Sequence, residues 1–263
     1  MAPASRRLHT PLTATSEPSS TLHLPRILCL HGGGTNTRIF RAQCRILRAF
    51  LQPYVRLVFA EAPYASKPGP DVVCVYSDWG PFRSWLPPPD TPLSTEQDIS
   101  NYTEDIDWCL QAAIEEDNLT GATGEIIGLL GFSQGARMAA SLLLRTQENM
   151  AQHTGHCLPQ FRFAVLLAGR GPFVQLHTPS ESPRPRGRTP QDRLLLHLPT
   201  VHVHGLLDHG LPHHQELLGH LCAAGSTTLI EWDGGHRVPI KTKDVSVVVA
   251  AILDVVRRTG ATT

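Results

Sequence analysis

Six short apolar runs recur along the chain, and each is followed by glycine, alanine or a polar loop. Runs this short, without regular polar alternation, are typical of strands that are buried on both faces of a sheet. The runs cover residues 27–30, 57–60, 125–130, 163–167, 200–204 and 228–232.

Helical spacing of apolar residues fills most of the intervals between these runs. Asn36 is placed to cap a helix that extends to Phe50, and Ser94 and Gln97 have the spacing of a capping box that opens a helix over 94–118. The alternation of strands and helices predicts an α/β fold, with a mostly parallel, doubly wound sheet and helices on both faces. Two further helices are expected over 134–146 and 242–258.

The length and the loop composition predict one domain with two irregular segments. A chain of 263 residues suits a single domain, expected here over 25–263, after a disordered, Ser-, Thr- and Pro-rich tail over 1–24. Two tryptophans and several prolines in residues 79–93 indicate an ordered, lid-like loop. A Pro- and Arg-rich stretch over 177–193 indicates a mobile insertion.

Charge and hydropathy favour neither nucleic acid nor a membrane as a partner. The chain carries 23 basic and 23 acidic residues, and no apolar run reaches the ~20 residues that span a bilayer. The N-terminus lacks the apolar core of a secretory signal, and the six cysteines include no C-x-x-C pair. We therefore expect buried, reduced thiols and a cytoplasmic protein.

A G-x-S-x-G pattern marks a candidate nucleophile at Ser133. Gly131 and Gly135 flank this serine between an apolar run and a helical segment, which is the strand–turn–helix setting that gives the pattern its chemical meaning. Small residues let neighbouring backbone approach the tight turn, and the turn lifts the hydroxyl out of the sheet. A serine in such a turn without any chemistry is the alternative interpretation.

A serine hydroxyl needs a base, and the chain order supplies a candidate base and acid. His236 follows the last apolar run and Asp208 follows the run over 200–204, which gives the Ser–Asp–His order of α/β-hydrolases. Asp208 is expected to orient the ring of His236 towards Ser133. Asp233 is a rival acid, but it lies only three residues before His236.

Backbone amides and aromatic residues complete the predicted site. The glycine-rich loop after the first run suggests the amide of Gly33, or alternatively Gly32, as one oxyanion donor beside the amide of Gln134. No P-loop lysine follows this loop, so a phosphate site is excluded. Three aromatic residues line an acyl pocket or belong to the core: Trp79, Phe82 and Trp85.

Several motifs together resemble the small α/β-hydrolases of the FSH group of serine hydrolases. The matching pieces, in order over roughly residues 25–240, are ILCLHGGGTN, LVFAEAPY, GPFRSWL, LLGFSQGARMA, HVHGLLDHGLP and WDGGHRVP. The resemblance implies an esterase or thioesterase with its catalytic residues at Ser133, Asp208 and His236. Because several fungal members release polyketide acyl chains, it also implies a small acyl ester or thioester substrate, with an acyl carrier domain of a polyketide synthase as a further candidate partner.

Two other functional classes compete with this hypothesis. His202, His204, Asp208 and His209 resemble the zinc motif of metallo-β-lactamase-type thioesterases, but the spacing is two residues too long and leaves G-x-S-x-G unexplained. A hydrolase fold kept only as a binding module is the second alternative, and the complete set of candidate residues argues against it. The serine mechanism requires neither a metal nor an organic cofactor.

Overall fold

The structure, a computed structural model, describes residues 21–91, 93–152, 158–176 and 195–260. Strands and helices alternate over most of this part of the chain. The strands are β1 Arg26–Leu30, β2 Arg56–Ala60, β3 Tyr64–Ser66, β4 Phe82–Ser84, β5 Ile126–Phe132, β6 Phe163–Leu167, β7 Thr200–Gly205 and β8 Thr227–Trp232. The helices are α1 Thr37–Gln43, α2 Arg45–Leu51, α3 Pro70–Tyr76, α4 Glu96–Leu119, α5 Gln134–Gln152, α6 Leu211–Glu216, which continues as a π-helical turn over Leu217–Leu221, and α7 Thr242–Arg258.

Six strands form one parallel sheet in the order β2-β1-β5-β6-β7-β8. The chain begins at β1, moves outwards to β2 and then returns past β1 to β5, so the strand order reverses between β1 and β5. Leu30 at the end of β1 is opposite Gly131 near the end of β5. In open α/β sheets ligands bind outside the carboxyl ends of the strands at such a reversal, and this is where the loops after β1 and β5 meet.

Helices cover both faces of the sheet, because the strands are apolar on both sides. On one face Phe40, Leu47 and Ile252 join α1, α2 and α7 to the sheet. On the other face Ile106 and Leu142 anchor α4 and α5. The parallel sheet between two helical layers confirms the predicted fold class.

Several helix boundaries differ from the sequence prediction, and α5 continues to Gln152 where the prediction ended at residue 146. The helix expected to run from Asn36 to Phe50 is interrupted at Cys44, although Asn36 caps its start by accepting the Ile39 N–H at 2.9 Å. The predicted capping box of α4 is wrong by one residue, because Thr95 and Asp98 form it rather than Ser94 and Gln97. A carboxylate one residue further along supplies the reciprocal acceptor for the cap N–H.

The segments outside the main sheet also depart in part from expectation. Residues 21–24 are not part of a disordered tail, since the Leu22 carbonyl accepts N–H groups of Thr123 and Gly124, and Leu24 is buried. The lid-like loop contains β4, which pairs antiparallel with β3 in a strand pair missing from the prediction. The insertion predicted over 177–193 lies outside the described residues.

The state of the cysteines and the length of the helices can be compared with the expectations of reduced, buried thiols and of no bilayer-spanning segment. The five cysteines that the structure describes are all free, and Cys74 is exposed although a buried thiol was expected. Over the same part of the chain, no helix combines the length and the apolar character that crossing a bilayer demands.

Candidate active site

Ser133 lies in a strand-to-helix turn that backbone contacts enforce. Its φ of 54° is in the left-handed region, which is unfavourable for a residue with a side chain. A Cβ at Gly131 would clash with the Gly135 carbonyl, and a Cβ at Gly135 would clash with the Leu30 and His31 carbonyls. Both glycines are therefore required for the close packing of β5, α5 and β1 that holds Ser133 above the sheet, as the motif predicted.

Ser133, His236 and Asp208 form a continuous hydrogen-bonded line. His236 Nε2 lies 2.9 Å from Ser133 Oγ, and His236 Nδ1 lies 2.7 Å from Asp208 Oδ2. The histidine ring is half-buried and packs 5.1 Å from the Phe132 ring, while Asp208 is buried. The structure thus brings together the three predicted side chains, and the rival acid, Asp233, is exposed.

The carboxylate of Asp208 is kept ionised by its hydrogen bonds. Burial by itself would raise its pKa, but the Gly210 N–H donates to Oδ1 at 2.8 Å and His236 interacts with Oδ2. These interactions outweigh burial and lower the pKa of Asp208 below its usual value. A carboxylate is therefore available to accept the Nδ1–H of His236, which leaves Nε2 to face Ser133.

The two residues predicted to supply oxyanion amides, Gly33 and Gln134, are close to each other in the segments that follow β1 and β5. A Cβ at Gly33 would lie 3.0 Å from the side-chain amide of Gln134. Gln134 is the first residue of α5, so its own backbone N–H has no acceptor within the helix. The Gln134 Oε1 accepts the N–H of Trp85 at 2.7 Å and the hydroxyl of Ser84 at 3.2 Å, which ties the segment after β4 to this turn.

His31 supports the glycine loop, and sequence reasoning gave it no role. It is fully buried; its Nδ1 lies 2.8 Å from the Gly32 carbonyl, and its Nε2 accepts the N–H of Ala62 at 3.1 Å. The Gly32 carbonyl also accepts the Thr35 hydroxyl at 2.6 Å. These bonds turn the Gly32 carbonyl away from solvent and fix the loop from beneath. The histidine directly before the glycine run was the available signal.

The aromatic residues proposed for a pocket have different environments. Trp85 is a core residue and not a pocket residue, since it is fully buried and its Nε1 donates to the His31 carbonyl at 2.8 Å. Trp79 is partly buried beneath the Arg38 guanidinium, which lies 4.1 Å above its ring. Phe82 is partly buried in β4. Of the three aromatic residues, Trp85 therefore belongs to the core, which is one of the two interpretations that the sequence allows.

The histidines of β7 do not form the metallo-β-lactamase-type zinc motif. His202 and His204 are fully buried within the strand, and His202 Nε2 is bonded to the Thr200 hydroxyl at 3.0 Å. Asp208 instead pairs with His236, and His209 is exposed. His214 of α6, which the sequence did not single out, is buried beside Asp208.

Comparison with known proteins identifies the family. A model of the serine hydrolase family FSH1 matches residues 20–248. The chain belongs to this family. It is 53% identical to the esterase pigG of Monascus ruber over 266 residues, covering 93% of this chain and 96% of that protein. It is 52% identical to the probable esterase azaC of Aspergillus niger over 242 residues, covering 92% and 88% of the two chains. Membership of FSH1 confirms the predicted resemblance and makes the chain a hydrolytic enzyme.

Solved structures share the fold at much lower sequence identity. Acyl-protein thioesterase 2 of Zea mays matches with a TM-score of 0.52 and 19% identity, covering 91% of this chain and 96% of that one. A carboxylesterase of Bacillus cereus matches with a TM-score of 0.51 and 17% identity, covering 88% and 89%. These likenesses confirm the α/β-hydrolase fold.

Proposed function

We propose that this serine hydrolase cleaves an acyl ester or thioester through an acyl-enzyme on Ser133, with His236 as base and Asp208 as the residue that orients it. One observation carries the proposal: the hydrogen-bonded line from Asp208 Oδ2 through both ring nitrogens of His236 to Ser133 Oγ. Its position beside the glycine loop, at the reversal of strand order, puts a nucleophile where this fold binds ligands.

The first chemical step follows from the direction of these hydrogen bonds. As Ser133 Oγ attacks the substrate carbonyl, its proton passes to His236 Nε2 over the 2.9 Å contact. The ring becomes an imidazolium, which the carboxylate of Asp208 stabilises while it accepts Nδ1–H. The negative charge on the carbonyl oxygen is stabilised by the amides of Gln134 and Gly33.

Leaving-group departure and deacylation use the same histidine. His236 passes its proton to the departing alkoxide or thiolate, which restores the neutral ring. Water then enters and attacks the acyl carbonyl while His236 removes its proton, and the same proton passes to Ser133 Oγ as the acyl group leaves as a carboxylic acid. Each of these roles requires a single base that both the serine and the incoming water can reach.

The proposed substrate is a small apolar acyl ester or thioester of fungal polyketide metabolism. Two features support it: the relatives are named fungal esterases, and the exposed side chains of Leu206 and Leu207 directly precede Asp208, where they would contact an apolar acyl chain. An acyl carrier domain of a polyketide synthase is proposed as an alternative carrier to coenzyme A. The proposed location is the cytoplasm.

Intact-mass spectrometry after brief exposure to acyl substrates tests the proposal. p-Nitrophenyl esters and coenzyme A thioesters of increasing chain length are the probes, and Ser246→Ala, at an exposed position on α7, is the matched control. We expect one acyl adduct on the wild type and on Ser246→Ala, and none on Ser133→Ala. An adduct that persists on Ser133→Ala, or turnover of these esters by that variant, would refute the proposal.

A further inference from the structure

Three side chains that can bind a metal converge at the inner end of the candidate site. One ligand atom from each of Asp208, His214 and His236 lies within 4.8 Å of the others. His214 Nε2 is 3.8 Å from Asp208 Oδ2, and His236 Nδ1 is 2.7 Å from the same oxygen. His214 and Asp208 are buried, while the half-buried His236 closes the solvent side. The proposed hydrolysis uses only two of these three groups.

His214 lies beside the carboxylate and packs against the rings of His204 and His236 at 5.5 and 6.3 Å. At 3.8 Å its Nε2 is too far from Asp208 for a hydrogen bond, and its buried Nδ1 has no hydrogen-bond partner among the described residues. A buried imidazole next to a carboxylate is a typical arrangement around a transition metal.

We propose that Asp208, His214 and His236 form an inhibitory site for a divalent transition metal of the Zn²⁺ type. The ligand atoms are a carboxylate oxygen of Asp208, Nε2 of His214 and Nδ1 of His236, and water takes the fourth position. The inhibitory consequence rests on the proposed function, whereas metal binding itself does not.

Two of the three distances between ligand atoms are close to what zinc requires. Zn–N and Zn–O bonds of about 2.0–2.1 Å in a tetrahedron place neighbouring ligand atoms roughly 3.3 Å apart. The observed 2.7 Å and 3.8 Å distances from Asp208 Oδ2 lie on either side of that value. Each of these two distances must change by only about half an ångström. The partly exposed ring of His236 can lengthen the shorter one, whereas the longer one closes only if His214 and Asp208 approach each other. All three ligand atoms lie within 4.8 Å of one another, so His214 and His236 must also move closer together by up to about 1.5 Å.

Metal binding would disable the base by reversing its tautomer. The free enzyme needs a proton on Nδ1 of His236 and a lone pair on Nε2. A metal bound to Nδ1 needs a lone pair on that nitrogen, so the ring proton moves from Nδ1 to Nε2 and no net proton is lost. Nε2–H then donates to Ser133 Oγ and cannot accept its proton, and Asp208 is occupied by the metal.

The donor set selects for the class of metal. Two imidazoles and one carboxylate suit Zn²⁺ and Cu²⁺, whereas Mg²⁺ and Ca²⁺ prefer sites made of oxygen ligands. We therefore expect Zn²⁺ to bind in the micromolar range and Mg²⁺ to have no effect at the same concentrations.

Calorimetric titration of the full chain with Zn²⁺, without any substrate, tests the site directly. His213→Gln is the matched control, because His213 precedes His214 on the same helix but is exposed. We expect one Zn²⁺ per wild-type and per His213→Gln chain, and affinity about tenfold weaker or worse in His214→Gln, which has lost one of three ligands. Absence of binding to the wild type, or unchanged affinity in His214→Gln, would overturn the site.

Ring-nitrogen NMR of the wild type keeps the test decisive if His214→Gln does not fold. On addition of Zn²⁺ the signals of His236 Nδ1 and His214 Nε2 should shift to metal-bound positions while those of His213 stay in place. Shifts confined to exposed histidines would contradict the site.

Turnover measurements separate this proposal from the proposed function. With an ester substrate, Zn²⁺ should inhibit the wild type and a chelator should restore it, and inhibition of His214→Gln, measured against its own metal-free rate, should need about tenfold more Zn²⁺. Zinc that binds at the three ligands without slowing an active enzyme would refute inhibition alone. A chain that binds zinc there but never hydrolyses esters would refute the proposed function and leave the metal site standing.

Discussion

The two halves of the candidate site differ in what orients their functional groups. The serine half, residues 131–135, is fixed by backbone packed against backbone, with Gly131 and Gly135 at distances that no side chain tolerates. The histidine half, Asp208 and His236, comes from two loops whose backbones are also joined, since Leu207 N–H donates to the Gly234 carbonyl at 3.0 Å. Its two functional groups are nevertheless aligned by side-chain hydrogen bonds, between His236 Nδ1 and Asp208 Oδ2 and from Gly210 N–H to Asp208 Oδ1. The serine hydroxyl is therefore positioned by backbone packing, whereas the imidazole is oriented by bonds to a charged group.

This difference explains why the geometry of the serine half can be predicted from the sequence, whereas that of the histidine half cannot. The serine turn is built from adjacent residues, so its motif carries the whole geometry. The histidine half combines Asp208, its chain neighbours Gly210 and His214, and His236, which lies 28 residues further along, so only the folded structure assembles it. If the comparison is correct, the histidine half should be sensitive to charge and pH, and the serine half to side-chain volume.

Removing the charge of the acid should have the largest effect. Asp208→Asn leaves an amide where a carboxylate accepts Nδ1–H, so His236 is expected to adopt the wrong tautomer, and kcat should fall by about 10⁴ with little change in KM. Steady-state kinetics with an acyl ester measures this loss. Asp233→Asn, at the exposed rival position, should retain the wild-type rate; a comparable loss there would show that the acid was misassigned.

Adding side-chain volume to the serine turn should destabilise the fold rather than change only the catalytic rate. Gly135→Val forces a branched side chain against the Leu30 and His31 carbonyls, which cannot move without displacing β1. We expect the free energy of unfolding to fall by about 3 kcal/mol or more, together with loss of turnover. Urea unfolding measures the change. Gly219→Ala, where no atom lies within 4 Å of the new Cβ, is the control and should be nearly neutral.

A smaller addition at the glycine loop should reduce the rate without unfolding the protein. In Gly33→Ala the new methyl lies 3.0 Å from the Gln134 side chain, so loop and side chain must separate slightly. Displacement of an oxyanion donor by a few tenths of an ångström should lower kcat by about 10–100-fold. In the Gln134→Ala background, where the obstructing amide is absent, Gly33→Ala should cost much less rate than it does in the wild type. Equal losses in the two backgrounds would argue against a steric cause.

The smallest expected effect concerns acid stability near the histidine half. Burial lowers the pKa of His202 to about 3 and that of His204 to about 4. Below pH 6.5 these two histidines therefore bind protons in the unfolded chain but remain neutral in the folded chain. The stability held by these neutral rings is complete above pH 6.5 and is lost as the pH falls towards their folded pKa values.

Comparison of His202→Gln with the wild type isolates this effect. The difference cancels other titrating groups, such as Glu148, whose pKa burial raises to about 7. Urea unfolding between pH 6 and pH 4 should show a slope smaller by about 1.4 kcal/mol per pH unit in the variant. Equal slopes would mean that His202 is protonated in the folded protein.

Elements encoded locally were predictable from the sequence, and those encoded by distant contacts were not. The strand runs, Asn36 as a cap and the serine motif each depend on neighbouring residues, and the structure contains all of them. The pairing of β3 with β4 depends on two short segments separated by α3, which carry no periodic signal of their own. Trp85 was ambiguous because an aromatic residue in a Pro-rich loop suits a pocket or a core equally, and only its bond to the His31 carbonyl resolves the question.

The measurement closest to the central claim is a double-mutant cycle of Ser133→Ala and His236→Ala, scored by kcat for an acyl ester with each variant shown to be folded. If the serine and histidine act as one unit, the double variant should be no slower than the slower single variant, because neither residue works alone. Losses that multiply, or a Ser133→Ala variant with near wild-type turnover, would contradict the account.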